Sequence, residues 1–448
     1  MAASVGAART DGVPRAWVAA ANMGLGHKRA VRPLSDLAEG GILIVNDPGF
    51  ADPEELKLWE RLLSIYEKLS RARGIPLIGP ALFGILDYFQ RIRSPYPRVD
   101  LSAPSVQTRF VDRMLEKGLC RTLLAKIKEK PLPLVTSFYH PAVAADRAGW
   151  GRIYCIICDA DINRVWVPSR PRDSRIEYLV PCGSAMRRLR QYGVPDERIW
   201  MTGFPLPLSL LGDESLSVLR RDLGRRLRRL DPEERFRPLH GRNVEHFLGP
   251  ENFLEGRDPG PVTITFAVGG AGAQKEIGTA ALESLAPAIR AGEFAMNLVC
   301  GVRSEVREYF EEAVRRILSD HPGVRVVSGR TDSEYFEAFE SCLHDTDVLW
   351  TKPSELSFYV GLGIPLIAAP TIGSQEDFNL RWLREIQATL HQSDPRYALE
   401  WIRELLEQGR FAEAAWSGFL KARKYGTYKI RELLATGTME RESNPLRR

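Results

Sequence analysis

The stretch "VLWTKPSELSFYVGLGIPLIAAPTIGSQEDFN", Val348–Asn379, decides the fold. An apolar strand stops at Lys-Pro-Ser and a helical run opens on a carboxylate. A second apolar strand follows, and the stretch ends in a loop dense in amides and acids. A core needs only the apolar parts. The polar groups all fall where strands finish, and in an open α/β sheet that edge is where ligands sit.

Outward from this stretch the same alternation covers the chain. "RAWVAAA", "GILIVND", "LPLVTS", "RIYCIIC", "RIEYLV" and "RIWMTG" read as strands, most of them followed by helical pattern. "VTITFAVGG", "AMNLVCGV", "GVRVVSGR", "DVLWTKPSE" and "IPLIAAP" repeat the scheme further on. Strands alternating with helices predict parallel sheets covered on both faces, so the fold class is α/β with two Rossmann-like domains. The expected division is a polar tail at 1–15, a first domain at 16–211, an interdomain connection with an insertion at 212–260, a second domain at 261–435, and a disordered tail at 436–448. Within the connection, "LSVLRRDLGRRLRRL" carries Leu216, Leu219, Leu223, Leu227 and Leu230 on one stripe, which predicts an interdomain core helix rather than a membrane anchor.

Composition narrows the function. A chain of 448 residues, 44% of them apolar, is too long for one core and fills two. The formal charge of +5 suits an anionic ligand or a membrane surface and is too small for a nucleic-acid footprint. No charged-then-apolar leader opens the chain and no apolar run approaches the ~18 residues that cross a bilayer, which predicts a cytoplasmic protein. Six cysteines over this length make no disulfide framework. Cys155 and Cys158 form C-x-x-C, but on a strand, where positions three apart point to opposite faces, so they read as buried small residues.

Three loops can carry chemistry. In "NMGLGHKRA", Gly24 and Gly26 let backbone approach a ligand and His27 opens the following helix, although a tight turn with a capping histidine explains the same residues. The third glycine of a dinucleotide fingerprint is missing, and "IVND" offers only Asp47. In "VGGAGAQKE", Gly269, Gly270, Gly272, Ala273 and Gln274 present amides with little side chain in the way, suited to a diphosphate at a helix start. A Gly-Lys-Ser/Thr does not follow, so this is no P-loop. In the opening stretch, Pro353 fits the first turn of a helix, Ser354 and the amides after it suit phosphate, and Glu355 is placed to accept both hydroxyls of a ribose or merely complements the helix dipole. Gln375, Glu376 and Asn379 suit sugar hydroxyls, while helix capping by Ser374 or Asp377 explains part of that loop.

Taken together, the Gly-Leu-Gly-His turn, the Gly-Gly-Ala-Gly-Ala-Gln loop, "KPSEL" and "GSQEDFN" resemble the two-domain GT-B glycosyltransferases that use UDP-sugars. The likeness is to the branch of diacylglycerol galactosyl- and glucosyltransferases and the peptidoglycan GlcNAc transferase. "SFYHPAV", "CDADINRVWV" and "IEYLVPCGSAMRRLRQYGVPDERIWMTGFPL" extend it over about three-quarters of the chain.

The resemblance implies two domains facing each other across a cleft, inversion at the anomeric carbon, and no metal or other cofactor. It implies a diphosphate on Gly269 to Gln274 with help from Ser354, a ribose on Glu355, and a donor sugar on Gln375, Glu376 and Asn379. Gly24, Gly26 and His27 would face the cleft, with His140 and Asp159 or Asp161 beside them. His27 ranks first as the base that takes the acceptor proton, ahead of Asp161 and Asp159. The first loop has one glycine fewer than its relatives, and Lys352 stands where they carry a small residue, either adding charge at the phosphates or solvated. The run after Asp47, rich in Leu, Ile, Phe and Tyr with arginines at its edges, predicts contact with an anionic membrane and a lipid-like acceptor, or an ordinary buried helix pair. A nonhydrolysing UDP-sugar epimerase and an inactive sugar-nucleotide-binding protein are the competing readings.

Overall fold

The computed structural model describes residues 14–71, 92–94, 96–253, 256, 258, 260–269 and 272–440. Among these, one unit takes 14–158, Ile162–Pro205 and 425–440, and a second takes Asp159–Asp161 and Leu206–Lys424.

In the first unit β1 (Trp17–Ala20), β2 (Leu43–Ile44), β3 (Leu134–Thr136), β4 (Ile153–Ile156), β5 (Ile176–Leu179) and β6 (Ile199–Trp200) form one parallel sheet in the order β2-β1-β3-β4-β5-β6. Every residue of β1, β3 and β4 is buried. Burial on both faces favours near-continuous apolar runs over alternation, which is why these strands are visible in sequence. Cys155 lies in β4 and Cys158 two residues past its end, both as buried free thiols.

The second unit holds β7 (Val262–Ala267), β8 (Phe294–Gly301), β9 (Val324–Ser328), β10 (Val348–Thr351), β11 (Leu366–Ala368) and β12 (Thr389–His391), parallel throughout, in the order β12-β11-β10-β7-β8-β9. Two parallel, doubly wound sheets in one chain give the expected α/β class with two Rossmann-like domains. The three-residue edge strand β12 was not anticipated; its residues are partly exposed and give no apolar run.

Strand order reverses between β1 and β3 in the first sheet and between β7 and β10 in the second. At such a reversal consecutive crossovers leave toward opposite faces, and the loops beyond the strand ends open a crevice. The second reversal is in register, with Ala267 opposite Thr351. The glycine loop after β7 and the Lys-Pro-Ser turn after β10 therefore start side by side.

The leucine-striped helix Ser217–Arg229 belongs to the second unit, where Leu219, Leu223 and Leu227 are buried. The structure thus places it inside one unit rather than as a core helix between two. Its Arg226, only 2% exposed, donates to the carbonyls of Thr346 at 2.8 Å and Leu362 at 3.0 Å. A Cβ on Gly363 would stand 2.4 Å from Leu223, so the helix is seated against a position that only glycine fills. The final helix, Gly426–Thr436, which the sequence reading put in the second domain, clusters with the first unit. There Arg431 pairs with Asp36 at 2.6 Å, and a Cβ on Gly426 would stand 2.3 Å from the carbonyl oxygen of Phe204.

No helix among the described residues is long and apolar enough to cross a membrane. The apolar run after Asp47 begins in the helix Pro53–Arg71, where Trp59 is buried and donates its indole N–H to Glu55 at 3.1 Å. Residues 72–91, most of the rest of the segment expected to rest on a bilayer, lie outside the described residues.

Asp347 sits at the opposite edge of the second sheet from the loops, fully buried. One carboxylate oxygen accepts from the Thr263 amide at 2.9 Å and lies 3.5 Å from Arg229, while the other has no partner. Burial raises its pKa to about 6, outweighing the Thr263 amide and the nearby Arg229, Arg226 and Arg225. A carboxyl raised in this way supports the fold while protonated, and that support is lost as pH rises through about 6. Asp347→Asn removes the titration. Between about pH 4 and pH 7 the variant should gain on the wild type by on the order of 2–3 kcal/mol in unfolding free energy, as measured by urea unfolding across that range.

Candidate functional site

The site in the second unit is assembled from the three loops after β7, β10 and β11. Beyond β7, the Gly272 amide closes a turn on the Gly269 carbonyl at 2.7 Å. Gly272 has φ 71°, and a Cβ there would lie 2.8 Å from the Val306 side chain, so both backbone and space call for glycine. Gly270 lies outside the described residues. Ala273 completes the turn, and Gln274, with φ 68°, begins the helix Lys275–Arg290 and sends its side-chain N–H to the Pro370 carbonyl at 2.8 Å. No side chain caps this helix, so its first amides keep their partial positive charge for an incoming group.

Beyond β10, Lys352 and Pro353 lead to Ser354 in extended backbone, and the helix Glu355–Leu362 that follows is a 3-10 helix. Pro353 thus stands before the helix cap rather than in the first turn, because Ser354 has not yet entered helical geometry. Residues Leu356–Leu362 are buried, which anchors Ser354 and Glu355, both half-buried, at the sheet edge.

Two of the expected sugar contacts already have protein partners. Glu376 accepts the Ile372 amide at 2.6 Å on one oxygen and the Lys352 ammonium on the other, capping the helix Ser374–Glu385 while holding a cation. Asn379, fully buried, accepts the Ala160 amide at 2.7 Å and donates to Asp159 at 2.8 Å and to the Pro353 carbonyl at 3.3 Å. Its amide is therefore spent on positioning Asp159 and the Pro353 turn. Gln375 is half-buried in the same helix start. Burial lifts the Asp159 carboxyl to about 6; the Asn379 hydrogen bond and Lys352 oppose this, and Glu355 and Glu376 reinforce it. A carboxyl poised there can exchange protons near neutrality. The structure brings Asp159, Lys352, Glu355, Glu376 and Asn379 into one electrostatic cluster.

In the first unit the reversal between β1 and β3 carries His27. Its Nδ1 donates to the Ser137 carbonyl at 2.7 Å, and the Ser137 hydroxyl returns a bond to the His27 carbonyl at 2.7 Å. A carbonyl can only accept, so the hydrogen sits on Nδ1 and the basic lone pair on Nε2. Phe138 packs edge-on at 4.8 Å and Trp166 lies 6.1 Å away. Gly24, with φ 107°, precedes the helix Leu25–Val31, so Gly26 falls inside the first helical turn rather than in the loop.

His140 is buried against Trp59, Phe138 and Tyr139, with no partner on either ring nitrogen. Burial pushes its pKa down to about 3, so the ring is neutral in ordinary buffers. Asp161 is also buried. Ser137, which orients His27, was missed by sequence reasoning. A serine at a strand end carries no signal that its main chain will serve a ring 110 residues away.

No family model matches the chain, and no curated protein does. Among solved structures it is similar to a UDP-GlcNAc 2-epimerase from Neisseria meningitidis bound to UDP-GlcNAc (12% identity, 86% of this chain and 97% of that one, TM-score 0.43). It is also similar to the glycosyltransferase of kitacinnamycin (13%, 94% and 98%, TM-score 0.47) and to MurG of Acinetobacter baumannii (14%, 72% and 78%, TM-score 0.41).

Asn379→Ala removes the amide that favours ionised Asp159. The Asp159 carboxyl should then titrate above its wild-type midpoint of about 6, as read by carbon-13 NMR of the labelled carboxyl; an unmoved midpoint refutes the assigned role of Asn379.

Proposed function

We propose that the protein is an inverting, metal-independent hexosyltransferase that moves a sugar from a UDP-sugar to a lipid-like alcohol of the diacylglycerol type. The observation that carries this reading is the reversal between β7 and β10, where the uncapped start of Lys275–Arg290 and the Ser354–Glu355 turn stand on adjacent strands in register. Amides and dipole there favour a diphosphate, and they stabilise it again as it departs with negative charge. Gly269, Gly270, Gly272, Ala273 and Gln274 form the phosphate loop, Ser354 assists, and Glu355 takes the ribose hydroxyls. Gln375 and Glu376 read the sugar.

The acceptor hydroxyl loses its proton to a base as it attacks the anomeric carbon in line with the departing diphosphate. His27 suits this role because the Ser137 carbonyl fixes the tautomer that leaves Nε2 basic. Asp159, with its pKa near 6, is the alternative. The likeness to the lipid glycosyltransferase branch, the apolar run after Asp47 and the net charge of +5 support a lipid acceptor at an anionic membrane surface.

One observation favours a nonhydrolysing UDP-sugar epimerase instead. Asp159, Glu355 and Glu376 form a carboxylate cluster, and an epimerase needs acid and base groups around the sugar itself.

Incubation with UDP-glucose, UDP-galactose or UDP-GlcNAc, with and without diacylglycerol vesicles, separates the readings. Transfer predicts UDP release only with lipid present. Isomerisation without release makes the protein an epimerase, and binding with neither makes it a sugar-nucleotide-binding protein. His27→Ala should lower turnover by about 10²–10⁴-fold while sparing UDP affinity, and Glu355→Gln should weaken UDP binding by about tenfold, both measured against the wild type.

A further inference from the structure

The Lys352 side chain lies across the phosphate loop. A Cβ on Gly269 would stand 2.5 Å from its Cε, 3.1 Å from its Cδ and 3.3 Å from its Nζ, so the lysine runs directly over this glycine and a side chain there would make it shift. At its far end the ammonium is held by Glu376, in a pair whose side chains are only 21% and 12% exposed. A surface lysine would be solvated; this one is drawn over the turn that opens the helix Lys275–Arg290. The other cations near that turn are engaged elsewhere. Lys275 sits 4.3 Å over the Tyr309 ring, and Arg303, whose stem approaches Gly272, pairs with Glu305 at 3.1 Å.

We propose that the Lys352–Glu376 pair is an exchange latch that reads the diphosphate of the donor: on binding, Lys352 trades the Glu376 carboxylate for phosphate oxygen. This rests on the nucleoside-diphosphate-sugar reading above. Glu376 does not lose its place in the exchange, because its other oxygen remains on the Ile372 and Gly373 amides at the helix start. The released oxygen is left to accept a hydroxyl of the sugar. Diphosphate and sugar are thereby recognised together, since the first ligand group withdraws the cation that blocks the acceptor of the second. Asp159 and Glu355 are the other charged groups facing this cluster. With Lys352 gone to the phosphate, the remaining carboxylates lose their counter-charge, so a hydroxyl-bearing ligand is favoured over a second anion.

Calorimetric titration of the full-length protein with UDP, UMP and uridine at fixed ionic strength tests the latch. Lys352→Ala should weaken UDP by about tenfold and leave uridine nearly unchanged. Glu376→Gln keeps an oxygen for the helix cap but releases the lysine, so UDP should bind several-fold tighter while the sugar moiety of a UDP-sugar adds less affinity than in the wild type. Thermal melts of both variants check that each is folded. UDP affinity unchanged in Lys352→Ala, or lowered in Glu376→Gln, overturns the latch and leaves the donor reading standing. A wild-type protein that binds no UDP overturns both.

Discussion

A parallel strand cannot hand the chain straight to its neighbour; it must pass through a crossover packed on one face of the sheet. The organisation of this protein follows from that constraint. Each sheet grows outward from an internal pair of strands, β1 and β3 in one, β7 and β10 in the other, and at that pair successive crossovers part company. The gap cannot be filled by regular structure, so loops, helix starts and polar side chains collect there. In the second unit every residue of both strands of the pair, β7 and β10, is buried.

Much of this was legible in the sequence, for a specific reason. Strands buried on both faces are near-continuous apolar runs broken at most by threonine, so "VTITFA" and "VLWT" declare themselves without partners. The glycine loop after β7 was legible too, as a run of glycines between strand and helix, but the left-handed backbone of Gly272 against Val306 came only from the structure. What sequence could not supply was pairing across long separations. Asn379 looked like a sugar ligand because amides at helix starts often are, yet its groups are taken by residues some 220 positions earlier. Glu376 likewise looked free until the structure set Lys352 against it. The helix Ser217–Arg229 showed its leucine stripe plainly, but a stripe does not say which sheet it will meet.

Burial acts on the ionisable groups in one direction only, toward neutrality, and so separates them by type. It raises Asp159 and Asp347 and lowers His140. His140 ends as a neutral ring within an aromatic cluster, while His27, partly exposed and braced by a main-chain carbonyl, retains a defined basic nitrogen. The two histidines therefore differ in what they can do, and the difference lies in packing rather than in their own chemistry.

The return of the last helix, Gly426–Thr436, to the first unit has a consequence for biosynthesis. The second unit draws almost all its residues from one continuous span, and the first is completed only by the segment that follows that span. During translation the first unit is therefore completed no earlier than the second, unlike domains that mature strictly in chain order.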